Sequence, residues 1–352
     1  MRLSRLQIRN IRNIGEASLE LGPSINLIVG PNGSGKTSVL ESFYFLGTAR
    51  TFRTGKQHTL LKEGEDVCLV KGVSESGQEM SVLGQNGLSK KMTLGGRLVE
   101  RASELAEKMP FVVLGPQTVN LLVGGPEYRR RFLNWGVFHV EPGFRRVWEG
   151  AKRCLSQRNR LLKSGGVVSE EVDSWTAEFV RLSERIHLYR KSYMSSFKEK
   201  FKEISEITGL AGIEVGYRRG WSTGVSLKED LATSLHADVK KGYTSKGFHR
   251  ADMVITVGKR EAAGFCSRGE LKRLSWALLL AQGEELRGEV IYLVDDLTSE
   301  LDKNSRKRIC RYLDENGSQL VVTGANEEEL SSCWQNNGNT MFHVEHGVVT
   351  KE

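Results

Sequence analysis

Residues Gly30-Pro31-Asn32-Gly33-Ser34-Gly35-Lys36-Thr37 fit the pattern G-x-x-x-x-G-K-[ST] in full. Glycine at 33 and 35 lets successive backbone N–H groups curl around a phosphate, and the helix that follows adds its positive dipole end. In such a loop the lysine reaches the β- and γ-phosphates, and the hydroxyl of Thr37 ligates Mg²⁺. The expected ligand is therefore a nucleoside triphosphate with magnesium, held by residues 30–37 and the adjoining Ser38. Far along the chain, Val290-Ile-Tyr-Leu-Val-Asp295-Asp296 is an apolar run closed by two carboxylates. Beside a phosphate loop, Asp295 is expected to hold the metal through water, and Asp296 to orient an attacking water, with Lys36 and Asp296 as the catalytic pair. An acidic pair after a strand can also simply open a loop or cap a helix.

Spacing narrows the chemistry. Asp295 lies 259 residues after Lys36, and no guanine-reading NKxD occurs. A GTPase or small-molecule kinase closes its site over a far shorter stretch, so a long insertion is expected between two halves of one nucleotide-binding lobe. Ser267-Arg-Gly269-Glu270 precedes the acidic strand by a single apolar helix. It resembles the Ser-x-Gly signature of ABC ATPases, in which Ser and Gly close over the γ-phosphate bound by the opposite subunit. Ser267 and Glu270 are also spaced as a capping box, and the two readings are compatible. Thr298-Ser-Glu-Leu-Asp302 resembles the loop that crosses the dimer interface in those ATPases.

These residues need elements to position them. Leu3, Leu6, Ile8 and Ile11 alternate with Arg5, Gln7, Arg9 and Arg12, which reads as an edge strand with a basic outer face. Residues 25–30 are apolar enough for a strand buried on both faces, followed by a helix expected to stop at Gly47. Short strand candidates over 66–113, among them DVCLVKGV, QEMSVLG, SKKMTLGG and PFVVLG, suggest an antiparallel layer. Residues 127–209 carry helical periodicity broken at KSGGVVS (163–169), the pattern of a pair of long helices. Strand-like text returns at 213–221 and 251–258. A helix over 269–283, a strand at 290–294, a helix near 303–315 and a strand at 319–324 then give the βαβ alternation of a parallel sheet. The expected fold is α/β: an ABC-type P-loop ATPase head with an inserted, mainly helical second lobe. The head combines 1–125 with 247–352, and the arm is 126–246.

Composition sets outer limits. At 352 residues with 39% hydrophobic content the chain can form more than one packed core. The five cysteines are odd in number and widely spaced, without a CxxC pair, so neither a disulfide framework nor a zinc cluster is indicated. His343 and His346 are close together but have no acidic triad or cysteine partners, and they are expected to be incidental rather than metal ligands. No apolar run reaches the length of a membrane span, and the first ten residues lack the apolar core of a signal peptide. A cytoplasmic protein is expected. The net charge is +8, and residues 145–202 hold fourteen Lys or Arg against seven Asp or Glu. Such a segment suits a phosphate-tracking surface or a merely solvated helical hairpin; without a zinc finger or helix-turn-helix, only shape and backbone recognition of DNA would be open to it.

Taken in order, LQIRNIRNI, the phosphate loop with SVLESFYFLGTARTFRT, GPQTVNLLVGGPEYRRRFLN (115–134), KGFHRADM (246–253), SRGELKRLSWALLLAQ and LVDDLTSELD resemble the RecF family. These are bacterial recombination-repair proteins related to the heads of Rad50 and SMC proteins, and the match is loose over 150–245. The resemblance implies an ATP-dependent homodimer that binds DNA at gaps or single-strand/double-strand junctions and works with RecO and RecR to place RecA. Weak DNA-stimulated hydrolysis would release it. It also implies that Gln117 senses magnesium and γ-phosphate, and that Arg12 and Arg53 lie near the nucleotide. Phe248 departs from the family's Gly-Pro-His-Arg motif. Thr323 is not followed by the γ-phosphate-sensing histidine of transporter-type ABC ATPases, so slow hydrolysis is implied. The alternatives left by the motifs are a transporter's nucleotide-binding subunit and a scaffold that binds ATP without cleaving it.

Overall fold

The computed structural model describes residues 1–53, 60–86, 90–164, 170–286, 290–335 and 338–352. The chain divides into two compact units. The first comprises Met1–Thr118, Ile204–Leu210 and Arg268–Glu352; the second comprises Val119–Glu203 and Ala211–Ser267. Residues 247–267 thus fall outside the unit that carries the phosphate loop. The reason is strand pairing: Asp252–Val257 lies antiparallel to Ile213–Arg218, which ties it to the second unit.

Two six-stranded sheets make the first unit. In one, Phe111–Leu114, Ile291–Val294, Gln319–Gly324, Ile25–Val29 and Thr340–Glu345 run parallel in that spatial order, with Val348–Lys351 antiparallel at the edge. The phosphate-loop strand Ile25–Val29 is buried at all five positions; four are apolar, and the fifth, Asn26, is satisfied by hydrogen bonds to Gly22 and the Leu320 carbonyl. PFVVLG joins this parallel sheet rather than the antiparallel layer expected for it. Its short apolar text does not distinguish the two settings. The other sheet is antiparallel, in the order Ile14–Glu20, Leu3–Ile11, Val67–Ser74, Glu79–Gln85, Lys91–Leu94, Arg97–Val99. Leu3–Ile11 is therefore an interior strand, not an edge, hydrogen-bonded on both sides. Its alternation records one buried face and says nothing about neighbours in the plane of the sheet.

The helix Lys36–Thr48 packs against strands of both sheets, and Val39, Leu40, Phe43, Phe45 and Leu46 are fully buried. Each such side chain contributes about 1.5–3 kcal/mol on leaving water. The helix does not stop at Gly47; it runs to Thr48 and ends on Ala49 in the left-handed region. Gly47 serves close packing instead, since a Cβ there would meet the Phe111 ring at 2.4 Å.

Where two long helices were expected over 127–209, the described residues form three: Pro126–Val140, Phe144–Lys163 and Glu170–Ile207, the last ending in residues that belong to the first unit. Glu141-Pro-Gly143 breaks the first from the second, as Pro and Gly do. Residues 165–169 of the expected turn lie outside the described residues, as do Thr54 and Ser89. A further helix, Leu227–Lys241, starts at a complete capping box between Ser226 and Glu229 and ends on left-handed Gly242. Phe248, the departure at the Gly-Pro-His-Arg-like segment, is buried against Trp148 and Phe179, and its carbonyl accepts from Arg190 Nη1 at 2.8 Å. The turn there is anchored by an aromatic plug.

Candidate nucleotide site

The loop begins where the Ile25–Val29 strand ends. A Cβ on Gly30 would fall 2.1 Å from the Val344 carbonyl oxygen of the neighbouring strand, so only glycine lets the chain leave the sheet there. Gly33 and Gly35 take φ of 80° and 125°, which turns the backbone amides inward. Asn13 braces the loop: its amide donates to the Ser34 carbonyl at 2.8 Å, and its oxygen accepts from Ser38 Oγ at 2.9 Å. Lys36 Nζ donates to the carbonyls of Gly30 (2.6 Å) and Pro31 (2.9 Å), which folds the ammonium back over the loop. Burial pulls the Lys36 pKa below its ordinary value, opposed by the nearby Asp296 and Asp295 carboxylates.

The acidic pair arrives on the strand Ile291–Val294. Asp295 N–H donates to the Leu114 carbonyl at 2.7 Å, continuing the parallel ladder. Asp295 Oδ1 accepts from Thr37 Oγ1 at 2.9 Å, across 258 residues of sequence, and lies 3.2 Å from Thr323 Oγ1. Burial pushes the Asp295 carboxyl up. Hydrogen bonds from Thr37 and Thr323 and the charge of Arg53 pull it back, against a smaller upward push from Asp296. Asp296 sits at φ 56°, ψ 52°, a left-handed conformation that costs a non-glycine residue on the order of 1–3 kcal/mol. Its N–H donates to Thr323 Oγ1 at 2.8 Å. Its Oδ1 is buried and has no hydrogen-bond partner among the described residues. A buried acceptor left open in this way fits a proton donor brought by a ligand.

A cavity of about 470 Å³ opens between loop and acids, lined by Gly33, Gly35, Lys36, Thr37, Asp295 and Asp296 together with Asn32 and Ser38. Its size suits a nucleotide. Arg12 lines it too, fixed in place by Glu41: Nε and Nη2 make a two-pronged contact at 2.9 and 3.1 Å with a fully buried carboxylate. Arg53 and Pro116 complete the rim. Gln117 follows the rim; it is exposed, and its amide donates to the Arg53 carbonyl at 3.4 Å. Ser267 and Gly269 do not line the cavity; Gly269 lies in the first turn of the helix Arg268–Glu284, where a Cβ would meet open space. Residue types alone missed two contributors. Asn13 lies in the turn between two strands, and Thr323 is a hydroxyl at the end of a third; only the fold brings them to the loop and the acids.

The chemistry of the donors fits a magnesium nucleotide. A hydroxyl (Thr37) and a carboxylate (Asp295) are hard oxygen donors of the type Mg²⁺ takes when phosphates and water supply the rest of its shell. Among the described residues no cluster of three or more His, Cys, Asp and Glu could hold a metal by itself. A phosphate loop closing one strand and an acidic pair closing the strand two places away define a P-loop ATPase head of the ABC and SMC kind. The model for the RecF/RecN/SMC N-terminal domain matches residues 2–350, and the chain belongs to that family, among its RecF members. It is 39% identical to the DNA replication and repair protein RecF of Shewanella pealeana, covering 99% of both chains. It is 37% identical to the RecF of Pseudomonas syringae pv. syringae, covering 100% of this chain and 98% of the relative. Among solved structures, the recombination mediator protein RecF-ATPrS of the RecFOR pathway superposes with a TM-score of 0.86 at 25% identity, covering 99% and 97% of the two chains. The Smc head bound to the C-terminal winged-helix domain of ScpA shares the fold alone, at TM-score 0.57 and 13% identity over 100% and 97%.

Proposed function

We propose that this protein is an ATP-switched DNA-binding protein of recombinational gap repair, acting in the cytoplasm as a dimer that forms on ATP and comes apart on slow hydrolysis. The observation that carries the reading is the meeting of Thr37 and Asp295 in one cavity, with the unpartnered carboxylate of Asp296 beside them. When bound, Mg²⁺–ATP supplies the scissile phosphoanhydride and the cation that balances its charge. The chain's own residues then divide the work. Lys36 leaves the loop carbonyls to pair with phosphate oxygens, Thr37 and Asp295 hold the metal, and Asp296 accepts a hydrogen bond from the attacking water and orients it. Ser267 and Gly269 close over the nucleotide gripped by the partner copy's loop, so nucleotide and dimer stabilise each other. Gln117, next to the rim, senses metal and γ-phosphate.

DNA is gripped through its backbone by the arm. Arg153, Arg160, Arg181, Arg185 and Lys191 are exposed there, whereas Arg158 and Arg190 are buried and serve the arm's interior. The relatives' role in the RecFOR pathway supports mediators of the RecO and RecR type as partners, with RecA placed downstream. Titration of a fluorescent gapped duplex, with and without ATP at several salt concentrations, tests the proposal. Tight binding that needs ATP and falls steeply with salt is expected. Affinity indifferent to ATP would sink the switch. Recovery with membranes rather than with DNA would favour a transporter subunit.

A further inference from the structure

The helix Arg268–Glu284 carries a lysine one turn beyond Gly269. Lys272 Nζ meets Glu300 Oε1 at 3.3 Å, with the glutamate side chain 8% exposed and the lysine 36%. Glu300 closes the short helix Leu297–Glu300, which is nailed down by the fully buried Leu297 and packs on the strand Gln319–Gly324. The backbone N–H groups of Ser299 and Glu300 donate to the Asp296 carbonyl at 3.1 and 3.2 Å. Glu300 therefore belongs to the single turn that holds the left-handed Asp296. Its second oxygen, Oε2, is buried without a hydrogen-bond partner among the described residues. Burial pushes its carboxyl upward; Lys272 pulls it back, and Asp296 and Asp295 add to the upward push.

We propose that the Lys272–Glu300 pair is a positioning link through which the helix bearing Gly269 holds Asp296 in the conformation that presents its carboxylate to the cavity. The argument rests on the functional reading above and extends it to two residues that do not touch the nucleotide cavity. A glutamate buried near two aspartates is tolerable only with a cation beside it. Without Lys272 it must take a proton or swing out, and swinging out draws its backbone amide from the Asp296 carbonyl. The lysine comes from the helix whose first turn would meet the partner copy's nucleotide. Its carbonyl is itself pinned by Ser275 Oγ at 2.8 Å, so Lys272 does not drift independently of that helix. Closure of the dimer on one nucleotide thereby bears on the water-orienting carboxylate of the other site.

The test compares wild type with Lys272→Met, Lys272→Arg, Glu300→Gln and the double variant Lys272→Met/Glu300→Gln in the full-length protein. Binding of a fluorescent ATP analogue, steady-state hydrolysis and thermal melting are measured for each. Lys272→Met and Glu300→Gln are expected to lower kcat by about 5-fold or more while nucleotide affinity stays within about 2-fold, a loss confined to the chemical step. Lys272→Arg should keep kcat within about 2-fold, and the double variant should lose no more than the worse single one, as partners in one link do. Because Lys272 is partly exposed, its methionine variant should fold, which melting verifies. A Lys272→Met protein with wild-type kcat overturns the link, as do losses that multiply in the double variant or that follow nucleotide affinity. Wild-type protein that binds no nucleotide would overturn the functional reading itself, an outcome distinct from either of these.

Discussion

Asp296 combines a strained backbone with a buried carboxylate oxygen that has no hydrogen-bond partner among the described residues, and both properties fit the role proposed for it. Asp296→Asn keeps the shape but loses the proton acceptor. It should leave ATP binding intact and lower hydrolysis by about 100-fold or more, the usual contribution of a positioned base. The ATP-bound dimer should then outlive that of wild type in size-exclusion runs; faster turnover would reverse the assignment. Lys36→Ala should abolish nucleotide binding and ATP-dependent dimerisation together, and a dimer that still forms with ATP would defeat the shared site. Gly30→Ala places a methyl against the rigid Val344 carbonyl and should cost about 1–3 kcal/mol in urea denaturation, a packing clash rather than a chemical loss. The phosphate loop and acidic pair were legible in the sequence because their types are rare in combination and their strand contexts are strong. Asn13, Thr323 and Glu300 were not. Each is a common polar residue whose partner is distant in sequence or supplied by the packing of another element.

The helical arm carries its own wager on internal charge. Arg158 and Asp238 form a buried pair at 3.4 Å, 1% and 0% exposed, with Thr244 accepting from the same guanidinium at 2.6 Å. Removing one partner leaves the other buried and uncompensated. Asp238→Ala should therefore destabilise the arm by about 3–5 kcal/mol, measured by proteolysis or denaturation. The same unit is expected to weaken in acid. Burial holds His249 and His139 down to about 4. Both pKa values lie below the unfolded value, so the penalty is absent above pH 6.5, grows as pH falls and is complete below about 4. At pH 5 each histidine should cost roughly 2 kcal/mol. His249→Asn should flatten the loss measured between pH 7 and 5; an unchanged slope would contradict the assignment. Helix periodicity announced this lobe but not its count of helices, since Glu141-Pro-Gly143 breaks the run without breaking the apolar pattern on either side. Strand text showed the same limit: PFVVLG reads alike in parallel and antiparallel settings, and one buried face of Leu3–Ile11 could not reveal two lateral neighbours.

At the scale of the molecule, the proposed function requires the head to respond to nucleotide and the arm to respond to DNA. The slope of log affinity against log salt for gapped duplex should shallow by about one unit for each phosphate-contacting residue lost, for example in Arg181→Ala. Arg181 is exposed and, among the described residues, its ion pair is with its helical neighbour Glu178, so its loss should leave melting unchanged. An unaltered slope would move the DNA surface off this helix. The distance between Lys36 and Asp295 implied an insertion but not which strands belong to it: Asp252–Val257 lies in the second compact unit because its hydrogen-bonding partner is there.

The strand that launches the phosphate loop is flanked on one side by Gln319–Gly324 and on the other by Thr340–Glu345. Both neighbours are translated some three hundred residues after it. A ribosome making this protein therefore exposes a strand that is apolar at four of its five positions long before its neighbours can cover it, while the arm, with contacts mainly its own, has already emerged and can condense. Parallel pairing over such separations is slow and prone to aggregation. Nascent chains should thus depend on a chaperone until the final strands leave the exit tunnel, and a cell starved in mid-synthesis would accumulate folded arms on unfinished heads.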